Sequence, residues 1–565
     1  MTRRDALAAF FAQGVASRGV KPTPRGKPSG LPFPSRLIDV GAQAGLVHPT
    51  LCGGVERKDY IVEVLGCGVA FLDYDSDGWL DIFVLSGTRF DASAEGATNR
   101  LYRNNRDGTF TDVTAKAGLT RSGWATGVTV GDYNNDGHED IFITYWGHNV
   151  LYRNNGDGTF TDVTKQAGVG GNGKDWGSGC TWVDIDRDGR LDLFVSNYVG
   201  FDLAKVPKAG KNPACNWKGI LVNCGPRGLP TTRPYLYRNN GDGTFTDISE
   251  RSGIAAATGS YGLTAVAADF DGDGWPDIYL AGDSTPSLYF RNQRNGTFRE
   301  EGVLRGLALS EDGLEQAGMG IALGDTNLDG RTDILKTHFS DDTSALYLND
   351  GEGNFSEATL RSGLGVETRY VSWGAGIVDL DNNGYPDLFV VTGSIYPEIE
   401  SKLPQYPYRT PRLIFRNLGD GRFEEIIAES APQSSRGCAF GDFDNDGDVD
   451  ILIWNMNEPP TLLRNDVTGG GNWLKVRLEG TKSNRSAIGA QVTVRYGGKM
   501  QVQQRVAQSS FLSVNDPRLH FGLGDAATAE ITIRWPSGAT ENIRPVPVNR
   551  LLHIKEGKGV VSTHS

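Results

Sequence analysis

Seven times along the chain the same nine-residue acidic loop recurs, with Asp at position 1, oxygen-bearing side chains at 3 and 5, Gly at 6 and Asp at 9. The first copy places Asp73, Asp75, Asp77 and Asp81 at those four oxygen positions, and the second places Asp132, Asn134, Asp136 and Asp140. The third and fourth carry Asp184, Asp186, Asp188, Asp192 and Asp269, Asp271, Asp273, Asp277. The fifth has Asp325, Asn327, Asp329 and Asp333, the sixth Asp379, Asp381, Asn383 and Asp387, the seventh Asp442, Asp444, Asp446 and Asp450. Alternate oxygen ligands, a glycine for the sharp turn and a late carboxylate are the ligand logic of a calcium loop of EF-hand type, shortened from twelve residues to nine. Three or four carboxylates this close repel one another without a counter-ion, so the repeat calls for up to seven Ca2+. Magnesium, which keeps several waters and strict octahedral geometry, suits such loops poorly.

The spacing also constrains the fold. Successive loops begin 59, 52, 85, 56, 54 and 63 residues apart, the long interval carrying an insert at about 201–234. Each loop sits between short apolar runs such as Gly68–Leu72 and Ile82–Val84, as in a hairpin whose turn holds an ion. A second hairpin follows, with Leu101–Asn105 running through Asp107 and Gly108 into Thr109–Val113 and the pattern returning at Leu151 and Leu236. Asp-Gly between apolar-patterned runs is a strong tight-turn signal. Two hairpins per repeat make a four-stranded unit, and radial repetition of such units is a β-propeller. The last repeat lacks the second half of its outer hairpin after Leu462–Asn465, and the missing half stands at Leu37–Val40. The N-terminal strand is thus expected to complete blade seven, removing the open edge. The expected architecture is all-β: a seven-bladed propeller over residues 33–466.

From Gly469 the pattern changes to alternating apolar and polar residues in Trp473–Leu478, Gln491–Tyr496 and Ile531–Trp535, which predicts a small β-sandwich over 469–557, with 558–565 as a tail. Residues 1–32 read as a leader. Arg3 and Arg4 precede a short apolar stretch, as in an export signal, and an unstructured leader fits the same residues. No later stretch reaches the 18 apolar residues of a membrane span. Cys215 and Cys224 lie nine apart in the insert, where a disulfide and two free thiols are both open readings. Cys180 and Cys438 precede their loops at equivalent strand positions and read as core, and Cys52 with Cys67 is a weaker candidate pair.

These motifs resemble a known family. The acidic loops alternating with Leu-Tyr-Arg-Asn-Asn-Gly-Asp-Gly-Thr-Phe hairpins are similar to FG-GAP (VCBS-type) repeats, the units of integrin α-subunit propellers. The tail, with Gly489 and Ala490, Leu519–Leu523 and Trp535–Gly538, resembles an ASPIC/UnbV domain. The resemblance implies calcium-dependent binding or adhesion and no established catalysis. It departs at Asn134, Asn327 and Asn383, which keep an oxygen but lose a charge.

The formal charge of −13 is mostly metal demand, because the seven loops hold 25 of the 69 acidic residues at ligand positions. Such a chain lacks the basic face that a nucleic-acid partner needs. The seven His show no His-Glu-x-x-His spacing, and no Gly-x-Ser-x-Gly elbow or phosphate loop occurs. Beyond each loop, strands run out toward one rim, where Tyr145, Trp146, Asn197, Tyr198, His338 and Phe339 offer a mixed aromatic and polar surface for a sugar or peptide. Ordinary rim packing is the other reading. Two function classes stand: a secreted, periplasmic or cell-surface calcium-binding module for an extracellular glycan or protein, and a carbohydrate-active hydrolase or lyase on the same scaffold.

Overall fold

The computed structural model describes residues 17–90, 96–257, 259–427 and 430–564. Seven four-stranded antiparallel sheets form the seven blades of a propeller. Blade 1 runs Val69–Leu72, Asp81–Val84, Arg100–Asn104 and Phe110–Asp112 from the axis outward. Blade 7 takes Ser435–Gly441, Asp450–Asn455 and Thr461–Asn465 from the end of the propeller, and Leu37–Asp39 from its start, paired with Leu37 opposite Asn465. A strand from the chain's beginning therefore seals the ring.

Each acidic loop is the turn between the two inner strands of its blade. Position 6 is a glycine in the left-handed region throughout, and position 4 adopts the same region, with Ser76, Asn135, Arg187, Leu328, Asn382 and Asn445 at φ of 58° to 59°. Such backbone costs about 1–3 kcal/mol per non-glycine residue and persists only where its surroundings over-determine it. Here it turns the backbone N–H groups of positions 5 and 6 back onto the position-1 carboxylate.

The second domain is a two-layer sandwich. One sheet orders Leu519–Gly524, Asn472–Glu479, Arg550–Lys555 and Gly559–His564, and the other Lys499–Gln504, Gln491–Tyr496, Thr528–Arg534 and Thr540–Pro547. Val476, Val492, Val494, Phe521, Ile531 and Ile554 fill the space between them. The tail expected over 558–565 is instead an edge strand, Gly559–His564, because Arg550–Lys555 would otherwise leave a row of backbone groups unpaired. The central pair, Asn472–Glu479 with Arg550–Lys555, is parallel.

The sandwich is anchored on the propeller axis. Its connection from 505 to 518 leaves the sheets and enters the ring. Ser510 exchanges two backbone hydrogen bonds of 2.6 Å with Ile321 of blade 5, and Val514 accepts from Phe71 N and donates to Val69 O of blade 1. Val128 N of blade 2 donates to Leu512 O, Cys180 N of blade 3 to Gln508 Oε1, Ala375 N of blade 6 to Ser510 Oγ, and Asp516 N donates to Phe440 O of blade 7. Phe511 is fully buried, edge-on to Trp373 at 5.0 Å. Space for this plug comes from glycines five residues before the loops: a Cβ on Gly68 would lie 1.8 Å from Leu512 O, and one on Gly320 would lie 2.9 Å from Ser510 O.

The leader also departs from expectation. Residues 17–32 run as an extended strap across blades 5 and 6, with Val20 N donating to Asp341 O and Thr23 N to Gly365 O. Arg18 pairs with the buried Asp342 at 2.7 Å, Arg25 with Glu425 at 2.5 Å, and Arg416 donates to Leu31 O at 2.6 Å. The twin-arginine stretch lies outside the described residues.

Candidate metal centres and the interdomain face

The same hydrogen-bond frame holds every loop. The position-1 Asp accepts the position-5 N–H on Oδ1 at 2.9–3.1 Å and the Gly N–H on Oδ2 at 2.7–3.1 Å. The position-9 Asp is buried and accepts on Oδ1, at 2.8–3.0 Å, the N–H of an Asn on the third strand of its blade. It thereby clasps the two hairpins of the blade together, a task the spacing alone did not reveal. That Asn reaches on: Asn104, Asn154, Asn239, Asn292, Asn349, Asn417 and Asn465 each donate through Nδ2 to the position-2 carbonyl of the preceding blade's loop, at 2.8–3.0 Å. These asparagines link neighbouring loops around the whole ring. Their signal in the sequence was the repeated Leu-Tyr-Arg-Asn, read there only as strand.

Five loops bring three carboxylates together with one oxygen of each within 4.8 Å of the others: Asp73, Asp75 and Asp81; Asp184, Asp186 and Asp192; Asp269, Asp271 and Asp273; Asp379, Asp381 and Asp387; Asp442, Asp444 and Asp450. Loop 6 is among them despite Asn383, because its three acids stand at positions 1, 3 and 9. Loops 2 and 5 form no such trio among the described residues; Asn134 and Asn327 instead turn their amide N–H onto Asp136 and Asp329 at 2.7 and 2.9 Å. The Asn-bearing loops thus divide by which position lost its charge.

The residues of the five trios fit a hard cation. The donors are all oxygens. Arg103 and Arg238 hold one oxygen of the position-3 Asp75 and Asp186, while the other oxygens, and Asp444 Oδ1, are buried and have no hydrogen-bond partner among the described residues. Burial pushes the Asp81 carboxyl up to about 8, Asp184 to about 7 and Asp444 to about 6, since desolvation disfavours the charged form. A bound cation reverses that penalty. These five loops can therefore hold metal ions.

All seven loops face the sandwich. Arg477 stands 3.5 Å from Asp73, Ser486 Oγ accepts from Asp132 N at 2.9 Å, and Arg187 donates to Pro536 O at 2.8 Å. Arg534 and Lys475 pair directly with Asp269 and Asp442. Val502 N donates to Asp325 Oδ2 at 3.2 Å, and Tyr496 Oη donates to Gly384 O at 3.0 Å. Between loops 1, 2 and 7 and the sandwich lies a cleft of 480 Å³.

The opposite rim is closed. Tyr145, Asn197, Tyr198, His338 and Phe339 are each at most 2 % exposed and Trp146 is half-buried, so of the two readings of this rim it is ordinary packing, not an open ligand surface, that these residues fit. The insert covers it: Phe201 packs on Trp146 at 5.0 Å and Trp217 on Phe339 at 6.2 Å. Cys215 and Cys224 form a disulfide that pins the insert, whereas Cys52, Cys67, Cys180 and Cys438 are free and buried. Cys52 and Cys67 are therefore not a pair.

A seven-bladed ring with acidic hairpin loops turned toward a fused sandwich defines a class. A family model for FG-GAP-like repeats matches residues 73–143, 132–195, 224–280, 269–336, 325–390 and 409–484, and one for ASPIC and UnbV matches 480–561; the chain belongs to the FG-GAP-like repeat family and carries an ASPIC and UnbV domain. Among individual proteins it is 26 % identical to cartilage acidic protein 1 of Mus musculus over 517 residues, covering 87 % of this chain and 74 % of that one. The Homo sapiens protein of the same name is also 26 % identical, covering 87 % and 72 %. Integrin alpha-6 of Homo sapiens is 25 % identical over 214 residues, 35 % of this chain and 18 % of that one.

Proposed function

We propose that the protein is an extracellular, calcium-loaded binding and adhesion module that engages a glycan or a protein and performs no catalysis of its own. The observation that carries the reading is the set of five carboxylate trios, three of which (loops 1, 3 and 7) hold a buried oxygen with no hydrogen-bond partner among the described residues, on loops that all face the second domain. Calcium accepts six to eight oxygens in irregular geometry, which suits acidic loops whose ligand sets vary from repeat to repeat. Asp75, Asp186 and Asp444 would give their unpartnered oxygens to the ion, which would hold each loop rigid against the sandwich. Loops 2 and 5, with fewer charges, would bind more weakly. The Cys215–Cys224 disulfide supports an oxidising compartment, as does the need for calcium at extracellular concentrations.

The plug and the insert close the propeller axis at both ends, which directs a partner to the outer surface or to the interdomain cleft. Arrays of glycans and of extracellular proteins, probed in calcium and again in chelator, test the proposal. Retention of at least one ligand class in calcium, lost on chelation and without turnover, supports it. Cleavage of a bound saccharide would replace it with the hydrolase or lyase reading.

A further inference from the structure

The 480 Å³ cleft between loops 1, 2 and 7 and the sandwich lies within the size range of small-molecule sites, roughly 300–1,000 Å³. Its sandwich wall is the outer face of one sheet. Along Asn472–Glu479 the residues Leu474, Val476 and Leu478 point into the core, and Trp473, Lys475, Arg477 and Glu479 face the cleft. His553, paired opposite Arg477 on the neighbouring strand, extends that face. The propeller wall supplies Trp79, His138 and Glu139, with Asp73, Asp132 and Asp442 at its base. Trp79 and Trp473 line the space and are half-buried, Trp473 also lying stacked beside His520 with ring centroids 6.4 Å apart.

The charges narrow the ligand. An anion entering the cleft meets Asp73, Glu139 and Glu479, and a cation meets Arg477, Arg485 and Arg505. Glu479 already holds Arg485 and Lys555, and Glu139 accepts Asp73 N, but an apolar ligand would still strip water from their remaining donors and acceptors, at a cost of several kcal/mol. A hydroxyl both donates and accepts, so a polyhydroxylated ligand satisfies the guanidinium groups and the carboxylates at once. Flat sugar faces also stack on half-exposed indoles. Arg477 and Arg485 have side chains 43 % and 40 % exposed and stand at the mouth.

We infer that this cleft binds a short, predominantly neutral oligosaccharide, stacked on Trp79 and Trp473 and hydrogen-bonded by Arg477, Arg485 and Glu479. The inference rests on the binding-module reading and names its ligand class and place. Because loops 1, 2 and 7 form one wall, binding depends on their metal occupancy.

The test uses the full-length protein in calcium, with cellotriose, chitotriose and trigalacturonate as neutral, N-acetylated and acidic probes, followed by titration calorimetry. At least one of the first two binds, and more tightly than trigalacturonate. Trp79→Ala and Arg477→Gln each weaken binding about tenfold, about 1.4 kcal/mol, while both variants still melt cooperatively and stay fully folded at the assay temperature. Trp275→Ala, at the equivalent position of loop 4 and outside the cleft, leaves binding unchanged. Saccharide binding that survives both cleft substitutions would overturn the cleft as the site while leaving the binding-module reading intact. Failure of all three saccharides, or preference for trigalacturonate, would overturn the ligand class; failure of every glycan and protein on the arrays would overturn the module reading as well.

Discussion

Position 9 of each loop carries two tasks at once, and substitutions there should show both. Asp192 accepts Asn239 N at 2.8 Å and Ile185 N at 3.1 Å while offering an oxygen to the trio with Asp184 and Asp186. Asp192→Ala strands two buried N–H groups, at about 1–3 kcal/mol each, and removes one ligand. Calorimetry should show one fewer calcium bound and a clearly lower Tm. Arg190, by contrast, is paired with the position-5 carboxylate of Asp188 rather than simply solvated. Arg190→Ala should change stability by less than about 1 kcal/mol and leave calcium binding at that loop nearly unchanged, because Arg238 still holds Asp188 at 3.1 Å. Equal effects of the two substitutions would refute the ligand assignment.

The buried carboxyls also set a pH dependence. Burial raises Asp132 to about 6, Asp184 to about 7, and Asp81 and Asp325 to about 8, against about 3.9 in an unfolded chain. The folded metal-free state therefore holds more protons than the unfolded one, so stability present below about pH 4 is lost progressively as pH rises to about 8. In chelator, Tm should fall between pH 5.5 and 8. Calcium requires the deprotonated carboxylates, so in its presence the fall should be abolished or reversed. Parallel melting curves across that pH range, with and without calcium, check the sign; a Tm that rises with pH in chelator would contradict it.

At the scale of elements, the plug and the strap decide the most. Phe511 sits in the middle of a connection hydrogen-bonded to six blades, and Phe511→Ala should cost about 3–5 kcal/mol, a loss measurable by chemical denaturation. If the plug merely rested in the ring, the cost would be that of a surface substitution. The strap makes truncation informative. Sequence pattern alone presents residues 1–32 as dispensable, yet their removal strips Arg18 from Asp342 and Leu31 from Arg416, leaving a buried carboxylate and a buried guanidinium without those partners. Deletion of 1–32 should lower Tm with the ring intact. Deletion of 1–47 also removes Leu37–Asp39, leaves the edge of Thr461–Asn465 unpaired and should reduce soluble yield through aggregation. Equal yields for the two truncations would mean the ring does not close through that strand.

For the whole molecule, the loops tie propeller and sandwich together, and with calcium bound the two domains should melt as one unit. Ions that bind only the folded state stabilise it by mass action, and each loop is also a contact with the second domain. Differential scanning calorimetry in calcium should show a single transition, and excess chelator should shift it down by well over a few degrees, reversibly on adding calcium. Two separate transitions in calcium, or an unchanged profile in chelator, would show that the domains do not share the loops' stability.

The repeat made most of this legible in advance. Seven loops at near-regular spacing, the split blade shared by Leu37–Val40 and Leu462–Asn465, and the alternating strands after Gly469 are local patterns, and local patterns are what backbone geometry and hydrophobic periodicity impress on a sequence. Nine-residue spacing alone fits both a disulfide and two thiols at Cys215 and Cys224; the turn between Asn216–Trp217 and Ile220–Leu221 brings the two together as a disulfide. What the sequence did not disclose is what one part of the chain does to a distant part. The glycines at 68, 127, 179, 320, 374 and 437 recur five residues before a loop, but their reason emerged only with the inner strands and the plug in place. The rim of Tyr145, Tyr198 and Phe339 looked open until the insert was seen to lie over it. Asn104 and its six equivalents read as ordinary strand residues because their partners belong to neighbouring blades. Spacing along the chain specifies which oxygens share a loop; whether an aromatic is a ligand surface or core, and where a cleft opens, depends on which remote segment covers it.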